Sequence, residues 1–183
     1  MFSRLFSFVI LILISPIFLM ISILIFIENG RPVLFSQRRP GQKHKIFDFY
    51  KFRTMRKDTP EVATHLLENP KKYLLKVGAI LRKFSLDELP NLINVLKGDI
   101  TFVGPRPALY NQYDLIELRE KYGIEKLKPG ITGWAQINGR DEISINEKVQ
   151  FERYYLEHKS FSFDTKILFL TIKYALLGKG VSH

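Results

Sequence analysis

The longest uncharged stretch of the sequence sets the first limit on the fold. Residues 5–27 form a run of 23 residues without a charged side chain, interrupted only by three serines and Pro16. At about 1.5 Å rise per residue, a helix of this length crosses the ~30 Å hydrocarbon layer of a bilayer. A cleaved signal peptide is the competing interpretation, but the run is long and no small-residue cleavage site precedes Glu28. The sequence therefore predicts a retained membrane segment.

A proline near the middle of this run raises the question of topology. Pro16 removes one backbone donor and clashes with the preceding turn, which costs ~3 kcal/mol in an ordinary helix interior. The hydroxyl of Ser15 can bond a carbonyl that is left without its partner. Two arrangements stay open: a kinked helix that spans the membrane, or a re-entrant helix-break-helix at Ser15 and Pro16 with both ends on one face.

A dense group of basic residues follows the membrane segment. The formal net charge is +10, and residues 31–57 carry nine Lys and Arg side chains against Asp48 alone. Such an excess indicates anionic partners, although a solvated basic face is the simpler alternative. Basic residues next to a membrane segment mark the cytoplasmic side and are attracted to anionic lipids by ~1 kcal/mol each. Because no second apolar run of about 18 residues follows, we expect the rest of the chain in the cytosol.

Periodicity and turn residues predict a helix-rich α+β protein, with a membrane anchor at residues 1–29 followed by a domain at residues 30–183. Two strands are predicted at residues 33–37 and 45–52. Helices are predicted at residues 60–82 with a break at Pro70, 85–98, 110–122, 142–158 and 164–177. Loops are predicted at residues 104–107 and 129–140. The last helix either packs on the domain, which the pattern favours, or lies in the membrane interface.

One local sequence combines a helix start with two adjacent acids. In Ser85-Leu86-Asp87-Glu88-Leu89-Pro90, Ser85 and Glu88 have the spacing of a capping box, which is the structural interpretation. In the functional interpretation, Asp87 lies near a helix N-terminus, where the dipole keeps a carboxylate ionised. An ionised aspartate can attack phosphorus and form an acyl phosphate. Asp87 and Glu88 could also hold Mg²⁺, which bridges substrate phosphates.

Basic side chains elsewhere could complete such a site. Arginines held by rigid loops suit forked contacts with phosphate oxygens, although each alone could be a surface charge. With the acidic pair they predict a phosphoryl-transfer site, formed by Lys51, Arg53, Arg82, Arg106 and Arg140. The alternative from another class is a membrane-tethered module that binds anionic lipid or nucleic acid without turnover. That alternative gives the acidic pair and the rigid loop at 104–107 no function, so we expect no nucleic-acid partner.

At these residues the sequence resembles the bacterial sugar transferase family, the small monotopic polyprenyl-phosphate phosphoglycosyl transferases, and within it the capsule-type branch. The resemblance covers nearly the whole chain, from Ser15 to Val181. It rests on Gln37-Arg38-Arg39-Pro40-Gly41, Tyr50-Lys51-Phe52-Arg53-Thr54-Met55, residues 85–90, Asn94-Val95-Leu96-Lys97-Gly98-Asp99, Gly104-Pro105-Arg106-Pro107 and Pro129-Gly130-Ile131-Thr132-Gly133-Trp134-Ala135-Gln136. Several motifs in one order make this similarity specific.

The resemblance implies the fold, the reaction and the site. It implies a re-entrant Ser-Pro hairpin, a catalytic domain on the cytosolic face of the bacterial inner membrane, and Asp87 as the nucleophile. Glu88 would assist with Mg²⁺ or with the acceptor, and Arg39, rather than Arg38, occupies the family's position in the first basic loop. Lys51, Arg53, Arg82, Arg106 and Arg140 would lie in or near the site.

The resemblance also implies the partners. The donor would be a UDP-sugar, in the usual range an N-acetylated hexosamine or a deoxy derivative, and the acceptor would be polyprenyl (undecaprenyl) phosphate, with release of UMP. The lipid-linked product would feed capsule, exopolysaccharide or glycoprotein assembly. Membrane lipid would be a further partner, and the resemblance is compatible with a chain that forms a homo-oligomer. One departure concerns the first arm: family members usually begin Lys/Arg-x-Phe-Asp, whereas Arg4-Leu5-Phe6-Ser7 lacks the aspartate and stands closer to the Ser-Pro pair. Either this arm is about a turn shorter or the true start lies upstream.

Overall fold

The N-terminal apolar run forms one long helix. The computed structural model describes residues 2–60, 69–139 and 143–176, and its first element is helix α1, Phe2–Asn29. Among these residues α1 is the one helix long and apolar enough to cross a membrane. The expected break into two helices is not seen, because α1 continues through Pro16. The hydroxyl of Ser15 donates to the Ile12 carbonyl at 2.8 Å, and this carbonyl is the one that Pro16 leaves without an amide donor.

One face of α1 packs on the rest of the molecule. Ile21 and Ile25 are buried in a cluster with Phe52, Leu75 and Leu81. The opposite face exposes large apolar side chains along the whole length of the helix: Leu5, Phe6, Phe8, Val9, Ile12, Leu13, Ile17, Leu19, Met20, Ile23, Leu24, Phe26 and Ile27. An exposed apolar surface of this extent is typical of a membrane contact.

Both ends of α1 are hydrogen-bonded to the domain. Near the start, the buried hydroxyl of Ser7 donates to the Leu92 carbonyl at 2.7 Å. Near the end, the two carboxylate oxygens of Glu28 accept from the backbone amides of Lys76 and Val77 at 2.6 and 3.0 Å. These amides belong to the open first turn of a helix, where a carboxylate is favourable. The domain therefore holds α1 at both ends.

The two predicted strands are confirmed, and the structure shows that they pair as a hairpin. Strand β1, Leu34–Pro40, pairs antiparallel with β2, Ile46–Phe52. The side chain of Asn94 satisfies the other edge of β2: its Oδ1 accepts from the Tyr50 amide at 3.1 Å and its Nδ2 donates to the Asp48 carbonyl at 2.6 Å. This contact positions the helix that carries Asn94 against the hairpin.

Among the described residues that follow β2 there are three α-helices before β3, and their limits differ in part from the prediction. Pro70 begins α2, Pro70–Tyr73, and α3 spans Lys76–Lys83; part of the predicted helix at 60–82 lies outside the described residues. The single helix predicted from residue 85 is wrong, because a 3₁₀ turn at Leu86–Glu88 precedes α4, Asn91–Lys97. Gly98 ends α4 with φ of +87°, a left-handed conformation that suits glycine.

The predicted loop at residues 129–140 contains regular structure instead. Strand β3, Thr101–Val103, pairs in parallel with β4, Gly130–Thr132. A Cβ at Gly104, Gly130 or Gly133 would collide with backbone atoms of this region, so the glycines allow the two segments to pack backbone to backbone. The remaining helices are α5, Tyr113–Lys121, α6, Trp134–Asn138, α7, Ile145–His158, and α8, Phe161–Leu176.

The last helix packs on the domain, as the favoured interpretation predicted. Ile167 of α8 is fully buried in a cluster with Val103 and Tyr155, and the Tyr155 hydroxyl donates to Asp164 at 2.7 Å. The helix-rich α+β class is thus confirmed. Within this fold, β2 and α3 contact the turn that carries the acidic pair.

Candidate active site

The acidic pair lies in a tight turn rather than at a capped helix start. Ser85 adopts a left-handed conformation with φ of +55°, and its side chain makes no capping hydrogen bond. The capping-box prediction for Ser85 and Glu88 is therefore wrong; the described part of the chain has that arrangement at Ser144 and Glu147, at the start of α7. The turn instead directs the side chain of Glu88 towards basic residues.

Glu88 is held by two cations. Its Oε1 accepts from Lys51 Nζ at 2.7 Å and from Arg106 Nη2 at 2.7 Å, and Oε2 accepts from Arg106 Nη1 at 3.4 Å. Burial alone raises the pKa of Glu88, but the charges and hydrogen bonds of Arg106 and Lys51 outweigh it, so this pKa lies well below its usual range. Glu88 is an ionised anchor between β2 and the loop of Arg106.

Asp87 occupies a different environment. It is 8% exposed, and its nearest ion pair is the longer one to Lys51 at 3.9 Å. Burial raises the pKa of Asp87, the charge of Glu88 adds to the rise, and Lys51, Arg82 and Arg106 oppose it. The sequence predicted that a helix dipole keeps this carboxylate ionised; the structure places nearby cations in that role. Asp87 is thus the more basic and less tightly bound of the two acids.

Arg82 approaches Asp87 from the end of α3. Its Nε donates to the hydroxyl of Thr54 at 3.0 Å, and Thr54 is itself buried beside the end of β2. Burial lowers the pKa of Arg82, while the charge of Asp87 raises it. Arg82 therefore faces the acid that is least neutralised by other partners.

Arg39 lies on the same face of the hairpin as Lys51. Its Nη1 donates to the Pro107 carbonyl at 2.8 Å, its Nη2 donates to Gln37 Oε1 at 2.9 Å, and its guanidinium lies 4.8 Å from the centre of the Phe49 ring. Burial, together with the charge of Arg106, lowers the pKa of Arg39 to about 10, so the side chain stays protonated at neutral pH. Arg38 is exposed, opposite Asp48 in the strand register.

Two of the predicted basic residues, Arg53 and Arg140, are not placed beside the acidic pair. Arg53 donates from Nε to the Pro32 carbonyl at 3.0 Å and lies 6.0 Å from the centre of the Phe35 ring. Arg140 lies outside the described residues. The residues that the fold brings together are Asp87, Glu88, Lys51, Arg82, Arg106 and Arg39.

Comparison with known proteins places the chain in a family. A profile described as bacterial sugar transferase matches residues 1–178. The chain belongs to the bacterial sugar transferase family. It is 45% identical to the uncharacterized sugar transferase EpsL of Bacillus subtilis over 157 residues, which cover 86% of this chain and 76% of EpsL.

Other relatives of this sugar transferase carry more specific names. It is 36% identical to the exopolysaccharide production protein ExoY of Rhizobium meliloti, with 93% of this chain and 81% of ExoY covered. It is 43% identical to the UDP-glucose:undecaprenyl-phosphate glucose-1-phosphate transferase of Escherichia coli, with 89% of this chain covered. The matched region is 37% of the E. coli protein. The chain thus spans about a third of that longer relative and most of the shorter ones.

The acidic pair of this sugar transferase can be tested for its fit to Mg²⁺. Within the described residues no group of three or more His, Cys, Asp or Glu side chains could hold a metal ion. Both oxygens of Glu88 already accept from cations, which leaves Asp87 as the more available carboxylate. One or two carboxylates are enough for Mg²⁺ when substrate phosphates supply the other ligands. The pair therefore fits a Mg²⁺ that arrives with a diphosphate.

Several residues that shape the site of this sugar transferase were not predicted to do so, although Thr54 and Asn94 lie within motifs on which the family resemblance rests. Thr54 orients Arg82, and Asn94 joins α4 to β2. Arg119 bonds the carbonyl of Arg106, and Glu152 pairs with Arg119. Each acts across 13 or more positions of the chain, which spacing patterns do not reveal.

Proposed function

We propose that this sugar transferase moves a sugar 1-phosphate from a UDP-sugar to polyprenyl phosphate and releases UMP, through a phosphosugar intermediate on Asp87. The observation that carries the proposal is the contrast within the acidic pair. Glu88 is neutralised by Lys51 and Arg106, whereas Asp87 is buried, has a raised pKa and keeps a distance of 3.9 Å from Lys51. A carboxylate in this state is a better nucleophile than one bound tightly to cations.

In the first step, a carboxylate oxygen of ionised Asp87 attacks the phosphorus that carries the sugar. A bond forms between that oxygen and phosphorus, and the bond from phosphorus to the oxygen bridging the two phosphates breaks. UMP leaves with the electron pair of the broken bond, and Asp87 carries the sugar phosphate as an acyl phosphate. Lys51, Arg82 and Arg106 stabilise the charge on the phosphate oxygens during the displacement.

In the second step, a phosphate oxygen of polyprenyl phosphate attacks the same phosphorus. The bond between this phosphorus and the Asp87 oxygen breaks, which restores the carboxylate. The product is a polyprenyl diphosphate that carries the sugar. Mg²⁺ held by Asp87, the more available carboxylate of the acidic pair, would supply further neutralisation of the donor's diphosphate. Glu88 keeps Lys51 and Arg106 in place during both steps and can assist the acceptor.

We also propose that the domain lies on the cytosolic face of the bacterial inner membrane and that α1, although it is one continuous helix, is re-entrant in the sense that both of its ends lie on that face. A helix of 28 residues is about 42 Å long. Ser7 and Glu28, near its two ends, are both bonded to the same domain. If α1 crossed the membrane upright, about 30 Å of hydrocarbon would separate these contacts. Ile80 of α3 and Phe84, which follows α3, are both exposed. Because α3 packs on α1, these two side chains extend the apolar surface available to lipid.

The cysteine-free sequence allows a direct test of this topology. We expect a single cysteine at Ser3→Cys to resist a membrane-impermeant maleimide in intact spheroplasts and to react after permeabilisation. A cysteine at Lys45→Cys, on the exposed hairpin, should behave in the same way. Reaction of Ser3→Cys in intact spheroplasts, with Lys45→Cys still protected, would show that α1 spans the membrane and would reject the re-entrant arrangement.

The donor in this proposal is a UDP-linked N-acetylated hexosamine or deoxy derivative, and the product starts a capsule, exopolysaccharide or other glycan. The name of the E. coli relative raises a hexose as the alternative sugar. A panel of UDP-sugars, incubated with the purified full chain and polyprenyl phosphate, should yield UMP and lipid-linked sugar for one class of donor. Chelation by EDTA should stop turnover, and added Mg²⁺ should restore it. Salt-sensitive lipid binding without UMP release from any donor would instead support a binding module.

A further inference from the structure

A buried ion pair lies behind the loop that carries Arg106. Arg119 of α5 donates from Nε to Glu152 Oε2 at 2.8 Å and from Nη2 to Oε1 at 2.5 Å. The side chain of Arg119 is 11% exposed and that of Glu152 is 2% exposed. Arg119 Nη2 also donates to the backbone carbonyl of Arg106 at 2.9 Å. The pair therefore connects α5, α7 and the Arg106 loop.

Stability alone does not account for such a pair. Removing two charges from water is costly, and apolar side chains of similar volume often hold a fold as well or better. The hydrogen bond from Arg119 to the Arg106 carbonyl is lost if apolar side chains replace the pair, because they have no donor to offer that carbonyl. The same loop is also held by backbone bonds, from the Gly104 amide to Thr132 and from the Gly130 amide to Pro105, at 2.8 and 2.9 Å.

A continuous series of contacts leads from this pair to the acidic turn. Glu152 binds Arg119, Arg119 binds the backbone of Arg106, and the Arg106 guanidinium binds Glu88 at 2.7 Å. We infer that Arg119 and Glu152 are positioning residues, which fix Arg106 where it holds Glu88 and receives the diphosphate of the donor. The diphosphate part of this inference rests on the proposed function; the contact with Glu88 does not.

The test uses a variant that keeps the interior packed while it removes the bond to the loop. In Arg119→Met with Glu152→Leu, apolar side chains replace the whole pair, so no buried charge is left without a partner. Arg119→Lys is the second variant; it keeps the charge but cannot form the planar fork. The control is Glu157→Gln, which breaks an exposed ion pair with Arg153 on the same helix, where the side chains are 50% and 47% exposed.

The measurement is the dissociation constant of UDP for the full chain in nanodiscs, determined by calorimetry. We expect about a tenfold weaker affinity for Arg119→Met with Glu152→Leu, a similar loss for Arg119→Lys, and no change for Glu157→Gln. In an Arg106→Ala background, neither replacement at the ion pair should weaken UDP binding further, because the residue that they position is already missing.

Wild-type affinity in both ion-pair variants would overturn the inference. An equal loss with and without Arg106 would also overturn it, since the pair would then act on the site by another route. If the apolar double variant does not fold, Arg119→Lys and its combination with Arg106→Ala give the same comparison. A wild-type chain that binds UDP but releases no UMP from any donor would reject the proposed function, while the binding comparison would still decide whether the pair acts through Arg106.

Discussion

Asp87→Asn is expected to abolish sugar-phosphate transfer, with a loss on the order of 10⁴-fold or more in turnover. The amide has nearly the shape of the carboxylate but cannot form the acyl phosphate. The cations around it stay in place, because Lys51 and Arg106 are held mainly by Glu88 and Arg82 is held by Thr54. The measurement is the rate of UMP release and of lipid-linked product with the active donor.

The same substitution should not weaken the fold. Burial raises the pKa of Asp87 above its ordinary value, so its ionised form is less favourable in the folded chain than in the unfolded one. At neutral pH a neutral amide removes this unfavourable contribution, and the thermal midpoint should be unchanged or higher. Asp58→Asn, at an exposed pair with Arg56, is the control and should keep full activity. Substantial transfer by folded Asp87→Asn would show that another group forms the intermediate.

Lys51→Met is expected to lower kcat/KM by about 10²- to 10³-fold. Lys51 contacts both acids, at 2.7 Å from Glu88 and 3.9 Å from Asp87. Its removal takes a positive charge from the place where phosphate charge develops. Lys45→Met, on the exposed tip of the same hairpin, is the matched control and should behave as the wild-type chain.

Lys51→Met should also change the pH dependence. Asp87 reacts when ionised, so activity rises as the pH increases through its pKa, which burial has already raised and which Lys51 lowers. Without Lys51 that pKa is higher, and the acid limb of the profile should move to higher pH. A parallel loss at every pH, with the acid limb unmoved, would mean that Lys51 binds the donor without acting on Asp87.

The features that sequence reasoning predicted correctly depend on local signals. An uncharged run long enough for a bilayer predicts α1, and alternating residues on either side of Pro40 and Gly41 predict the two strands β1 and β2. Ser15 was assigned its bond beside Pro16 because the two are adjacent. Glycine and proline spacing predicted the ends of several helices, including Gly98.

The features that sequence reasoning missed depend on contacts between distant segments. Glu88 had the spacing to cap its own turn, but two cations from β2 and the 104–107 loop bind it more strongly. The pairing of β3 with β4 joins segments about 30 positions apart through strands of only three residues, too short for an alternation pattern. Arg119 and Glu152 resemble ordinary surface charges until α5 and α7 bury them.

The most direct measurement of the central claim is the intact mass of the full chain after incubation with the active UDP-sugar in the absence of polyprenyl phosphate. The account predicts a mass increase of one sugar phosphate per chain, with one equivalent of UMP released. It also predicts that polyprenyl phosphate removes the added mass and that Asp87→Asn never acquires it. An unchanged mass in a sample that still forms lipid-linked product when the acceptor is present would contradict the account.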